Sequence, residues 1–316
     1  MNQKKHSPVL AFIQQNEYFI NFTSFLKRIY LPGFERVPLF DVVVFFIKGM
    51  RNGAVTTRAS SLAFKFFLAI FPSLIFLITL IPYVPVPNFQ DQLLQLMHDF
   101  LPTGAYDATK DTLEDLIKNQ NGGLLSFGFL FALYLSTDGM HSVINSFNLS
   151  IHATETRNFL KIRLVAVILV FIITLLLVLS IALIVFSEIV IDYLESTNLL
   201  NDAFFVNTLI LGKWVITLAL FFFAFSFIYW LGPDSKNRFR FFNAGSTFAT
   251  FFSILISLCF AFYVNHFGNY NKLYGSIGTV MVIMLWMYFN AIVLLLGFEL
   301  NASISALMNS KKENQP

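Results

Sequence analysis

Long apolar runs constrain this chain more than any other feature. Six stretches, at roughly 60–84, 123–147, 161–187, 210–232, 241–264 and 276–300, carry few charges. About 20 residues of α-helix cross the hydrocarbon core of a bilayer, and helices satisfy every backbone polar group on the way. The chain is therefore expected to be an all-α polytopic membrane protein, a bundle of six transmembrane helices. Composition agrees. Of 316 residues, 56% are hydrophobic and 12% charged, against about 25% charged in a soluble domain. The net charge of +3 is too small to argue for a nucleic-acid partner. Cys259 is the one cysteine and lies in an apolar run, so neither an internal disulfide nor a cysteine metal cluster is expected.

The connections orient the bundle. Cytoplasmic flanks carry an excess of Lys and Arg. Before the first span stand Lys4, Lys5, Lys27, Arg28, Arg36, Lys48, Arg51 and Arg58. Arg157, Lys161 and Arg163 follow span two, Lys236, Arg238 and Arg240 follow span four, and Lys311 and Lys312 close the tail. The opposite connections are acidic. Segment 86–121 holds Asp91, Asp99, Asp107, Asp111, Glu114 and Asp115 against Lys110 and Lys118, and 188–212 holds Glu188, Asp192, Glu195 and Asp202 with no base. This alternation predicts six spans with both termini cytoplasmic. The first 40 residues mix charged and apolar residues, so no cleavable signal peptide is expected.

Two further segments suit membrane surfaces. Residues 38–50 are too short to span and are flanked by Arg36 and Arg51, which predicts an interfacial helix on the anionic cytoplasmic face. Outside, Phe89, Leu93, Leu94, Leu96, Met97, Phe100 and Leu101 recur at roughly helical spacing. They fit an amphipathic helix capping the bundle, or equally a solvated helix packed on loops. No internal repeat is present, so an inverted-repeat transporter is not indicated. The expected organisation is a cytoplasmic segment 1–36, one membrane domain 37–305 and a cytoplasmic polar tail 306–316.

Small residues spaced by four let helix backbones approach closely. Gly128, Ala132 and Ser136 do so in span two, and Gly245, Ala249 and Ser253 in span five. Asp138 and Glu299 are acids at membrane depth, where charge is costly and tends to face the bundle interior or a wet cavity. Arg58, Lys65, Lys161 and Arg163 begin spans on the same side and are the expected partners. One reading is an ion-paired cavity open to the inner leaflet. The other is a set of pairs that fixes helix register. Asn290 and Asn301 suit interhelical hydrogen bonds. His141 lies one turn from Asp138, as part of a proton relay or as a lone satisfied histidine. No nucleophile elbow, phosphate loop, HExxH run or acidic metal cluster is found.

Several elements in order carry a family resemblance. The second half has Tyr229, Pro233, Arg238 and Arg240, Gly245, Tyr263, Tyr270 and Leu-Tyr-Gly-Ser at 273–276 with Tyr274 and Gly275. It continues with Leu285, Trp286 and Tyr288 and ends on Gly297-Phe298-Glu299-Leu300-Asn301. The first half has Arg58-Ala59-Ser60-Ser61-Leu62-Ala63-Phe64 followed by Phe71-Pro72. Over roughly 37–305 the chain resembles the YihY/BrkB family of bacterial inner-membrane proteins. The resemblance implies six spans, with links to serum resistance, virulence and export of lipid or lipopolysaccharide precursors. That family also carries a ribonuclease BN label, widely regarded as a misassignment. The sequence offers it no metal-binding cluster and no basic groove for RNA.

The function expected is transport or flipping of an anionic lipid or lipid-linked envelope precursor. A non-transporting membrane scaffold or envelope-assembly factor comes second, and a membrane-embedded enzyme third. The candidate substrate-binding residues are Arg58, Lys65, Asp138, Arg163, Glu299 and Asn301, with Pro72, Tyr229, Pro233, Gly245, Tyr274, Gly275, Trp286 and Gly297 as structural motif. Membrane lipids are the expected partners. No catalytic residue, cofactor, metal or nucleic acid is expected, and the sequence sets no oligomeric state.

Overall fold

A computed structural model describes residues 38, 40, 44, 54–83, 89–100, 103–149, 156–196, 203–234, 240–266 and 276–313. Among the described residues there is no strand. The helices are α1 (Val55–Leu80, with a short 3-10 turn Ile81–Tyr83), α2 (Phe89–Phe100), α3 (Thr103–Lys118), α4 (Gly122–Asn148), α5 (Phe159–Ser196), α6 (Ala203–Leu231), α7 (Ala244–His266) and α8 (Ser276–Glu313). Six of them, α1 and α4 to α8, are long and apolar enough to cross a membrane. The chain is an integral membrane protein. At 1.5 Å per residue, the 38 residues of α5 and of α8 reach roughly 57 Å, well beyond a hydrocarbon core of about 30 Å.

The spans pack in chain order as a closed ring. α1 lies against α4, α4 against α5, α5 against α6, α6 against α7, α7 against α8, and α8 returns to α1. Their outer faces carry exposed Phe71, Leu130, Leu175, Trp214, Phe251 and Leu258, as a lipid-facing surface requires. The buried core is gathered toward the end at which α1 begins. There Leu62, Val143, Phe147, Leu169, Tyr229 and Phe298 are inaccessible or nearly so. Phe147 of α4 stacks on Phe298 of α8, with centroids 4.1 Å apart and planes 4° from parallel.

Close backbone approaches need the predicted small residues. A Cβ on Gly128 would stand 3.2 Å from the backbone nitrogen of Phe76 on α1. α1 continues through Pro72, which is buried. At the start of α4, Asn121 accepts from Leu124 N at 3.0 Å, a side-chain cap for an orphan donor.

The structure differs from the sequence expectations in three places. The segment between the first two spans holds two helices, not one. α2 packs on α3, and α3 touches α1 and the 3-10 turn, with Leu94 and Ile117 buried. The spacing of Leu113, Leu116 and Ile117 marks α3, but it gives a narrow apolar stripe in a polar segment. The last helix runs to Glu313 and takes up most of the supposed tail, because Ile304, Leu307 and Met308 continue its apolar face against Ala244. Asn290 bonds back to Trp286 O of its own helix at 2.9 Å, not across helices. The interfacial helix expected at 38–50 falls outside the described residues apart from Pro38, Phe40 and Val44. Tyr274 and Gly275 also lie outside them.

Candidate functional site

Five of the six candidate residues meet as two ion clusters at the same end of the ring, and a third grouping brings in Asn301. Lys65 lies ten residues into α1, roughly 15 Å along its axis. Asp138 lies ten residues before the end of α4. Arg163 is in the second turn of α5. The antiparallel ring brings the three together. Lys65 Nζ donates to Asp138 Oδ2 at 2.8 Å, and Arg163 Nη1 donates to Oδ1 at 3.2 Å. The guanidinium also sits over the ring of Tyr134, 5.4 Å from its centroid. This cluster is part-exposed, with Lys65 at 33%, Asp138 at 30% and Arg163 at 24%. Two cations share one carboxylate, so the group keeps a net positive charge. His141 does not join it. Its Nδ1 stands 3.3 Å from Asn145 Nδ2 and its ring packs on Phe159.

The second cluster is buried. Arg58 Nη2 donates to Glu299 Oε1 at 2.9 Å, with the side chains 7% and 1% exposed. Arg58 Nη1 donates to Ser146 O at 2.5 Å. One arginine thereby joins α1 to α8 and holds a carbonyl in the last turn of α4, where the helix dipole favours a cation. Nearby, α7 and α8 cross where Gly245 faces Gly297. Asn301 Oδ1 accepts from Gly245 N, and Asn301 Nδ2 donates to Asn243 Oδ1, each at 2.7 Å. Asn243 in turn caps α7, accepting from Ser246 N at 2.8 Å. Tyr229 on α6 donates to Leu294 O at 2.8 Å and fills the space beside Gly297. These contacts tie α1, α4, α6, α7 and α8 together.

Comparison with known proteins identifies the family. The family model described as virulence factor BrkB matches residues 46–316. The chain belongs to the virulence factor BrkB family. Among relatives of this BrkB-family chain is the ribonuclease-like protein YfkH of Bacillus subtilis, 32% identical over 263 residues, which are 82% of this chain and 93% of the relative. A UPF0761 membrane protein of Vibrio campbellii is 24% identical over 266 residues, 82% and 81% of the two chains. Another, of Vibrio atlanticus, is 28% identical over 264 residues, 81% and 79%. No solved structure matches.

The BrkB fold also joins residues that sequence reading passed over. Asp234 accepts from the backbone N of Thr156 at 2.9 Å and from its hydroxyl, linking the connection before α5 to the one after α6. Arg157 Nη2 donates to Gly232 O at 2.6 Å, beside the α6 C-terminus. The signal was Pro233-Asp234 just past a helix end, but Asp234 has no sequence feature that points to Thr156. Trp286 of the family motif is part-exposed and donates to Ser257 Oγ at 3.1 Å. Apolar clefts lie toward the other end of the ring. Two, of about 310 and 480 Å³, run between α7 and α8 beside Phe260. A third, of about 330 Å³, lies between α5 and α6 around Ser180 and Thr217. All three are apolar and lie in the half of the ring away from the ion clusters.

Proposed function

We propose that this BrkB-family protein is a non-enzymatic transporter or flippase of an anionic lipid or lipid-linked envelope precursor in the bacterial inner membrane. The observation that carries this reading is the part-exposed Lys65–Asp138–Arg163 cluster with its net positive charge. Charge at that depth is expensive and is retained where an ion or a polar headgroup passes. The distribution of packing supports the same reading. Ion pairs, the glycine crossing and most of the buried core gather at one end, and apolar clefts that suit acyl chains open in the other half. By the positive-inside rule the ion-paired end, both termini and the basic cluster face the cytoplasm.

Two measurements test this. A cysteine at Asn119, in a Cys259→Ser background, is expected to react with an impermeant thiol reagent in intact cells. Reaction only after lysis would invert the topology. Liposomes containing the purified protein should translocate fluorescent phosphatidylglycerol faster than empty liposomes. The Lys65→Gln/Arg163→Gln variant should slow the protein-dependent rate by about tenfold or more, since each lost charge-assisted bond is worth roughly 1.5 kcal/mol or more. Wild-type rates equal to those of empty liposomes would leave the scaffold reading in place.

A further inference from the structure

We propose that Lys65 and Arg163 form a binding site for the phosphate of a membrane lipid headgroup, and that Asp138 occupies this site as a built-in counter-ion that the phosphate displaces. The inference rests on the transport reading for its purpose, but it makes a claim about binding that stands or falls separately. Its basis is an accounting of donors. A guanidinium has five N–H donors and an ammonium three. Among the described residues, Arg163 uses one donor, to Asp138, and Lys65 uses one, to the same carboxylate. Unused donors near hydrocarbon need an acceptor, and a lipid headgroup is the acceptor at hand.

The geometry favours phosphate. The Arg163–Asp138 bond at 3.2 Å is long for a charge-assisted bond, which usually measures about 2.7–2.9 Å. Its fork is engaged through one nitrogen and not bidentately, so the carboxylate holds the site without filling it. A lipid phosphate offers two charged oxygens in the geometry that Arg takes bidentately, and its approach is not fixed by a helix backbone as that of Asp138 is. The Tyr134 ring beneath the guanidinium holds its plane while partners exchange. The contrast with Arg58 sharpens the point. That arginine is 7% exposed and bonded to Glu299 and Ser146 O, and although its Nε has no acceptor among the described residues, no headgroup reaches it. Among the described residues Asp138 bonds to the two cations and to no other group, and it is part-exposed, so its carboxylate can leave as a headgroup arrives.

The test is lipid retention by the purified full chain, read by native mass spectrometry during titration with phosphatidylglycerol, with phosphatidylcholine and with inorganic phosphate. Wild type is expected to retain phosphatidylglycerol over phosphatidylcholine. Asp138→Asn removes the competitor and should bind phosphatidylglycerol on the order of fivefold tighter, the value of an ion pair worth about 1 kcal/mol. Unchanged or weaker binding by folded Asp138→Asn would overturn the displacement claim. Should that variant not fold, Lys65→Gln decides. It leaves a neutral Asp138–Arg163 pair and should lower phosphatidylglycerol retention to the phosphatidylcholine level, and full retention would sink the site. Displacement of the lipid by inorganic phosphate would overturn the lipid assignment in favour of a soluble phosphate. Tighter binding by Asp138→Asn with no translocation by wild type would reject transport and keep this site. Translocation by wild type with no gain in Asp138→Asn would do the reverse.

Discussion

Arg58→Met is expected to lower stability by about 3–5 kcal/mol, enough to remove most folded protein from a detergent extract. The change deletes the guanidinium bonded to Glu299 and leaves that carboxylate 1% exposed among apolar side chains. Breaking a buried pair from one side costs more than the net worth of the pair. The same change strips the donor from Ser146 O at the end of α4, so three helices lose a shared contact. Glu299→Gln should be milder, because an amide oxygen still accepts from Arg58 while the pair loses its ionic character. Arg58→Met/Glu299→Leu should recover part of the loss, since a neutral core of similar volume replaces the broken pair. Thermal unfolding of the three variants gives the coupling between the two positions. A melting temperature for Arg58→Met equal to that of wild type would mean that the pair does not hold the bundle.

Gly245→Ala is expected to be nearly as damaging, costing about 3 kcal/mol, at the upper end of overpacking effects. The new methyl group would overlap the Gly297 carbonyl oxygen and stand 2.6 Å from Asn301 Cγ. Neither neighbour can yield. One is the backbone of the facing helix, and the other is fixed by two hydrogen bonds of 2.7 Å. Gly245→Leu should then add little further harm, because the first carbon already separates α7 from α8. Gly128→Ala serves as a comparison. Its Cβ would meet Phe76 N at 3.2 Å, a contact that a shift of a few tenths of an ångström relieves. Normal yield and melting temperature for Gly245→Ala would show that the crossing is looser than drawn.

The parts of this protein legible in its sequence share a property. Each depends on the chain within a few turns of itself. The six spans follow from hydropathy summed over about 20 residues, a quantity indifferent to neighbours. The close approaches at Gly128 and Gly245 follow from small residues spaced by four, because a helix repeats near that period. The cost of charge at membrane depth marked Asp138 and Glu299 as residues in need of partners. Sequence reasoning placed both acids in the bundle interior, and the structure separates them. Glu299 is buried, whereas Asp138 stands at a part-exposed junction of α1, α4 and α5. α3 was missed because its stripe of Leu113, Leu116 and Ile117 is narrow beside a run of acids.

The sequence by itself determined the number of membrane crossings, the depth of each charge and the sites of close backbone contact. Tertiary structure decided which charges meet. Arg58 pairs with Glu299 across 241 positions, and Lys65 and Arg163 converge on Asp138 from two different helices. Helices apolar on every side have no patterned face to announce their rotation or their neighbours. The closed order of the ring, and the small shifts that bring a donor within 3 Å of an acceptor, arise only when six such helices pack together.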